Sequence, residues 1–125
     1  LFFETHEFRP DSGGDGQYVG GAGGELRLRL ETEKAAVVNT AGEGARVPSK
    51  GRAGGEDGAV HLYTMHPPSG SPVTLKTKQE GLPVPAGSVF HVRSGGGGGW
   101  GDPAKRTAED RAADTRAGLP PLARR

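Results

Sequence analysis

From Glu25 to Glu31 the chain alternates without a break, placing Leu26, Leu28 and Leu30 on one side and Glu25, Arg27, Arg29 and Glu31 on the other. A two-residue period is that of a half-buried β-strand. Shorter stretches repeat it: Val60 and Leu62 alternate with His61 and Tyr63, and Val73 and Leu75 bracket Thr74 ahead of Lys76. In Ser88-Val89-Phe90-His91-Val92-Arg93 both faces carry apolar residues, which predicts a more central strand than the others. The intervening stretches AGEGARVPSKGRAGGEDG (residues 41–58) and HPPSGSP (66–72) are too rich in glycine and proline to propagate regular structure, and read as loops and turns.

A single stretch, near the end of the chain, has helical character. Thr107-Ala108-Glu109-Asp110 has the form of a capping box, with acidic residues at the positive end of the helix dipole. The helix is expected over about 107–118, stopping at Gly118 ahead of Pro120 and Pro121. Ala108, Ala112 and Ala113 would form its buried stripe, and Arg106 with Asp110 and Arg111 with Asp114 its weak surface pairs. So thin a stripe predicts a peripheral helix. The expected fold is mainly β (α+β): glycine-rich loops joining short strands, with one C-terminal helix.

Composition alters this picture in one respect. Glycine and proline supply 23 and 10 of the 125 residues, and hydrophobic residues 32%, so any core will be thin. The chain opens at Leu1 rather than methionine, which fits a processed or partial product, and its length allows one domain at most. Strands with one uncovered face predict marginal stability in isolation. A formal charge of +1 gives no basic footprint for nucleic acid. No apolar run approaches the length of a membrane span. With no cysteine there is neither a disulfide nor a thiolate site, and an intracellular, cytoplasmic setting is expected.

Candidate chemistry gathers in two places. Asp11-Ser12-Gly13-Gly14 looks superficially like the nucleophile loop of a serine protease, but only His6 precedes the serine, where that fold needs both base and orienting carboxylate upstream. The reading preferred here is a turn in which Asp11 and Ser12 hydrogen-bond local amides and Gly13 or Gly14 takes positive φ. The second place is Gly95, Gly96, Gly97, Gly98 and Gly99, followed by Trp100, the chain's single tryptophan, and Gly101-Asp102-Pro103. The run lacks the Gly-Lys-Ser/Thr ending of a P-loop. Its amides suit either a structural loop or an anion-binding nest, and Asp102-Pro103 suits a helix start. His6, His61, His66 and His91 show no metal-protease spacing; His61 and His91 could meet across neighbouring strands, but no metal site is expected within the chain.

Taken in order, these pieces resemble the C-terminal end of the hydantoinase B/oxoprolinase family. FRPDSGGDGQYVGGAGGELRLR (8–29) is similar to that family's Arg-Pro-Asp-Ser-Gly-Gly turn, second glycine cluster and strand; VPAGSVFHVRSGGGGGWGDPAKR (84–106) to its terminal strand, glycine loop, aromatic and Gly-Asp-Pro. KGRAGGEDG (50–58) matches an intermediate glycine turn less distinctly, and TAEDRAADTRAGL (107–119) occupies the place of the final helix. The resemblance implies that 1–125 is the C-terminal portion of a hydantoinase B-type domain, β-rich over 1–103. It further implies a larger subunit, with a missing N-terminal part, that works with a hydantoinase A-type partner binding ATP. Such enzymes open cyclic amides such as 5-oxoproline or hydantoins, or carboxylate ketones. ATP and a divalent metal would be held elsewhere in the complete enzyme, with no cofactor on this chain, which alone would be inactive. Arg9, Asp11, Ser12, Gly13, Gly14, Gly95 to Gly99, Trp100 and Asp102 are then candidates for a substrate or structural loop, with Trp100 as its buried hydrophobic anchor. The competing reading is a small non-catalytic binding or scaffolding protein that uses its glycine loops.

Overall fold

The computed structural model describes residues 1–119, so Pro120, Pro121 and the tail expected after the helix lie outside the described residues. Within the described residues seven strands form two sheets. In the larger, β1 (Phe2–Phe8), β2 (Gly24–Arg29), β7 (Val89–Arg93), β4 (Leu62–His66) and β5 (Val73–Leu75) lie in that spatial order, each antiparallel to its neighbour. The smaller pairs β3 (Ala36–Ala41) with β6 (Lys78–Val84). β7, with apolar residues on both faces, occupies the centre of the larger sheet, as its pattern predicts.

Register explains which side chains meet. Leu26 lies opposite Val92 and Leu28 opposite Phe90, while Val92 and Phe90 face Tyr63 and Met65 on β4. That apolar face receives the small sheet at one end: Met65, Leu75 and Val84 are buried there, with Leu30, Val38, Tyr63, Leu82 and Phe90 packed around them. The expected β4 pattern is corrected by one residue. The strand starts at Leu62, and its inward positions are Tyr63 and Met65 rather than Val60 and Leu62, since a one-residue slip exchanges faces. The two sheets are linked by the turn Pro85-Ala86-Gly87-Ser88, in which Ser88 N donates to Pro85 O and Gly87 takes φ +78°. A side chain at Gly87 would be strained in that conformation.

The second half of the molecule is built from loops. The segments Arg9–Gly23, Ser49–Ala59 and Ser94–Gly101 pack backbone against backbone. Gly96 N donates to Ala59 O, Gly97 N to Gly21 O and Gly99 N to Glu56 O, while Gly14 N and Arg52 N donate to the carbonyls of Gly97 and Gly99. A strand in a sheet sends its bonds to two sides. The glycine run does the same between two loops, bonding Gly14 and Gly21 of one and Arg52, Glu56 and Ala59 of the other, and so forms the axis of the loop bundle.

Its glycines are required by space rather than by handedness. None of Gly95 to Gly99, and neither Gly13 nor Gly14, has positive φ; the left-handed residue of the first turn is Asp11 itself, at φ 52°. This corrects the expected turn, in which a glycine was to supply that conformation. A Cβ on Gly96 would stand 1.8 Å from Ser12 O, one on Gly99 2.1 Å from Asp15 O, and one on Gly14 2.0 Å from Glu56 O. Gly97 is the roomiest of the five, its nearest neighbour being Gly21 N at 3.0 Å.

The chain leaves this bundle through a 3-10 turn, Pro103–Lys105, whose Asp102 side chain caps Ala104 N at 2.9 Å. α1 (Ala108–Arg116) follows, with Thr107 and Asp110 forming the reciprocal capping box and Gly118 at φ +71° just beyond its end. Ala108, Ala112 and Ala113 are exposed, so the expected alanine stripe is not buried. The expected ion pairs are also rearranged. Arg106 pairs with Asp114, one helical turn further than Asp110, and Arg111 turns back to the carbonyls of Pro103 and Arg106. Asp110 is occupied instead by Thr107, whose hydrogen bonds come first in holding its carboxyl below the usual range. Polar contacts at its start, not a hydrophobic stripe, dock this helix.

Candidate functional site

A hollow of about 1300 Å³ opens between the first glycine turn, the Gly55–Ala59 loop and the face of α1. Arg9, Asp11, Ser12 and Gly13 line it, together with Asp15, Glu56, Asp57, Arg106, Arg111 and Asp114. Of the other residues singled out from sequence, Gly14 and the Gly95–Gly99 run lie in the packed bundle, and Trp100 and Asp102 lie beyond it. The fold thus divides the candidates into a lined hollow and the bundle that supports it.

Arg9, Arg106 and Asp57, around the hollow, are engaged in closing loops. Arg9 Nη1 donates to Val60 O at 2.8 Å and to Ser94 O at 2.9 Å, tying the first turn to the start of the glycine run. Burial, and then the neighbouring Arg93, lower its pKa, against a raising contribution from Glu25; a guanidinium stays charged throughout the physiological range. Arg106 donates to Gln17 O at 3.0 Å as well as to Asp114. Asp57 is held ionised by Lys50 Nζ at 2.7 Å and by Gly51 N at 2.9 Å, with the lysine bond the largest cause of its lowered pKa.

Ser12 is buried, and its hydroxyl is used twice: it donates to Arg9 O and accepts from Gly23 N, both at 2.7 Å. With those partners it staples the turn to the second glycine cluster. Trp100 differs from expectation. Its backbone pairs with Tyr18 in both directions, but its ring is 52% exposed and lies against the similarly exposed Tyr18 ring, centroids 5.7 Å apart. The peptide groups anchor this residue and the indole does not, because the surrounding glycines leave no side-chain wall to receive it.

A second cluster, on the polar face of the larger sheet, was not visible in the sequence reading. His91 Nε2 meets Glu25 Oε1 at 2.5 Å, and the His66 ring lies 6.1 Å from that of His91. The signal was available in register alone, since Glu25 and His91 belong to neighbouring strands at diagonal positions. The expected approach of His61 to His91 does not occur. His61 packs edge-on against Tyr63, while His91 is paired with Thr64, and adjacent strand residues face opposite ways. Burial, then Arg27, His91 and Arg93, lower the pKa of His66; burial, then Arg9, lower that of His61. Among the described residues no three His, Asp or Glu side chains are grouped so as to hold a metal ion. No helix in those residues is long and apolar enough to cross a membrane.

The backbone glycine bundle and the loop walls of the hollow, though not its α1 wall, fall within residues 1–103, which match the family model for hydantoinase B/oxoprolinase. The chain belongs to the hydantoinase B/oxoprolinase family. Among curated relatives, it is 35% identical to the caprolactamase subunit beta of Pseudomonas jessenii over 95% of its own length and 21% of that subunit's. The crystal structure of the ATP-dependent caprolactamase from the same organism superposes with a TM-score of 0.70 at 31% identity, over 93% of this chain and 20% of that one. The nucleotide-free structure of acetone carboxylase gives 0.67 at 21% identity, over 94% and 20%, and shows the shared fold. The chain therefore spans about a fifth of the length of these family members.

Proposed function

We propose that this hydantoinase B-family chain contributes a folded scaffold to an ATP-dependent enzyme that opens cyclic amides, of the lactam, 5-oxoproline or hydantoin class. The observation that carries this reading is the 35% identity to a caprolactamase subunit across nearly the whole chain. The chain supplies rigidity: Arg9, Ser12 and the glycine bundle fix the walls of the hollow, and Arg9, Asp57, Arg106 and Asp114 along it are already paired to the fold. ATP, a divalent metal and a hydantoinase A-type partner belong to other parts of such an enzyme, in the cytoplasm. Within the chain Ser12 hydrogen-bonds the backbone groups of Arg9 and Gly23, and His91 faces Glu25.

A chimera tests the proposal. Residues 1–125 replace the matching fifth of the P. jessenii caprolactamase subunit beta, and ATP-dependent caprolactam hydrolysis is measured with the rest of that enzyme. The expected result is activity in the chimera and none in the isolated chain. A soluble, correctly assembled chimera without activity overturns the reading, as does turnover by the purified chain that one of its own point variants abolishes.

A further inference from the structure

The larger sheet ends at β1, and the apolar face of that edge is uncovered. Phe3 lies opposite Leu28, His6 opposite Leu26 and Phe8 opposite Gly24, so all three belong to the face that carries the core further along the sheet. The small sheet covers that face only around Met65 and Leu75; Phe3 is 59% exposed and Phe8 54%. Natural edge strands are guarded by outward charges, by proline or by a bulge that turns the edge away; the register of β1 shifts between Phe3 and Thr5, which leaves Thr5–Phe8 as its regular run. Here Glu4 is drawn to Arg27 and Arg29 at 3.4 Å, and so guards nothing on the apolar side. Beside the strand a hollow of about 610 Å³ is lined by His6, Phe8, Pro10 and Ala22. β5, at the opposite edge, has three residues and offers much less backbone for pairing.

In the relatives about four-fifths of the chain lies outside the part aligned with these residues, and that chain must pack somewhere. We propose that β1 is an interior strand in the assembled protein, its open edge paired with an extended segment from this remaining portion of a family subunit. That segment would carry apolar side chains at alternate positions, covering Phe3 and Phe8 and entering the hollow beside His6. Strand addition of this kind draws affinity from main-chain hydrogen bonds and specificity from pockets for alternate side chains. The inference rests on family membership and on the edge geometry, and is independent of which amide is hydrolysed.

Hydrogen exchange read by mass spectrometry on the free 125-residue chain and on the caprolactamase chimera tests it. Amides of residues 2–8 are expected to exchange at least about tenfold more slowly in the chimera, because an edge strand opens far more readily than a paired one. The double variant Phe3→Asp/Phe8→Asp is expected to abolish that protection in the chimera while leaving the melting of the free chain unchanged. Equal exchange of residues 2–8 in both settings overturns the inference, as does protection that survives the double variant. A free chain that already dimerises with residues 2–8 protected, and is made monomeric by the double variant, would assign the edge to a second copy and overturn it too. An inactive chimera with residues 2–8 protected would count against the proposed reaction alone, and an active one with them unprotected against this inference alone.

Discussion

Around Met65, Leu75 and Val84 water is kept out by side chains projecting from two sheets, whereas around Gly96 and Gly99 it is kept out by the peptide groups of three loops. The first region follows the familiar rule that apolar area is buried by apolar side chains. The second removes side chains altogether, so that backbones approach closely enough to hydrogen-bond in several directions. Ordering glycine is entropically the most costly of any residue, and the dense network of main-chain bonds offsets that cost. The difference shows why a composition with 32% hydrophobic residues and 23 glycines need not mean disorder: part of this interior consists of main chain.

The comparison breaks most sharply at single glycines. Gly96→Ala drives a methyl group to 1.8 Å from Ser12 O, where only backbone can give way, and is expected to cost about 4 kcal/mol or more or to prevent folding. Gly97→Ala, two of whose three nearest atoms lie at 3.5 Å or beyond, is expected to cost on the order of 1 kcal/mol. Denaturant melts of the two variants check the contrast; equal and small effects would return the run to a flexible linker.

In the side-chain core the expected loss is intermediate. Met65→Ala leaves a cavity between the two sheets and is expected to cost about 3 kcal/mol, read in the same melts. A cost below that of Gly97→Ala would mean that the small sheet collapses onto the gap.

Acid separates the regions by a different route, because the histidines with lowered pKa values, His61 and His66, both belong to the sheet region. Their folded pKa values lie below the ordinary 6.5, so the unfolded chain binds protons more readily as pH falls through that value. Stability is therefore complete above about pH 6.5 and declines below it, as pH falls toward the folded values. Melting temperature is expected to drop between about pH 7.5 and about pH 5, and His66→Gln is expected to flatten part of that slope. A pH-independent melt over this range would contradict the burial assigned to these rings.

The smallest effect is expected at the residue that looks most prominent in the sequence. Trp100→Ala removes a half-exposed ring and leaves its backbone bonds to Tyr18 in place, so the isolated chain is expected to change by about 0.5 kcal/mol or less. A loss of about 3 kcal/mol, as for a buried aromatic, would show that the ring is anchored after all.

Local patterns determined a good part of the architecture. Alternation placed β2, apolar residues on both faces placed the central β7, and the capping box placed the start of α1, because each signal is contained within a few residues of chain; Asp102-Pro103, read as a helix start, opens a short 3-10 turn. The ordered runs RPDSGG and SGGGGGWGDP also sufficed to indicate the family. β1, β3 and β6 were not read as strands: their alternation is weak or broken, and they form because a partner strand accepts their backbone bonds. The tertiary structure alone decided that Gly96 is closed to a methyl group while Gly97 is merely tight, that Trp100 faces water, and that His91 meets Glu25 and not His61. A glycine carries no side chain whose pattern could announce its neighbours. Which of its hydrogens faces a carbonyl, and which faces solvent, is fixed only when distant loops close around it.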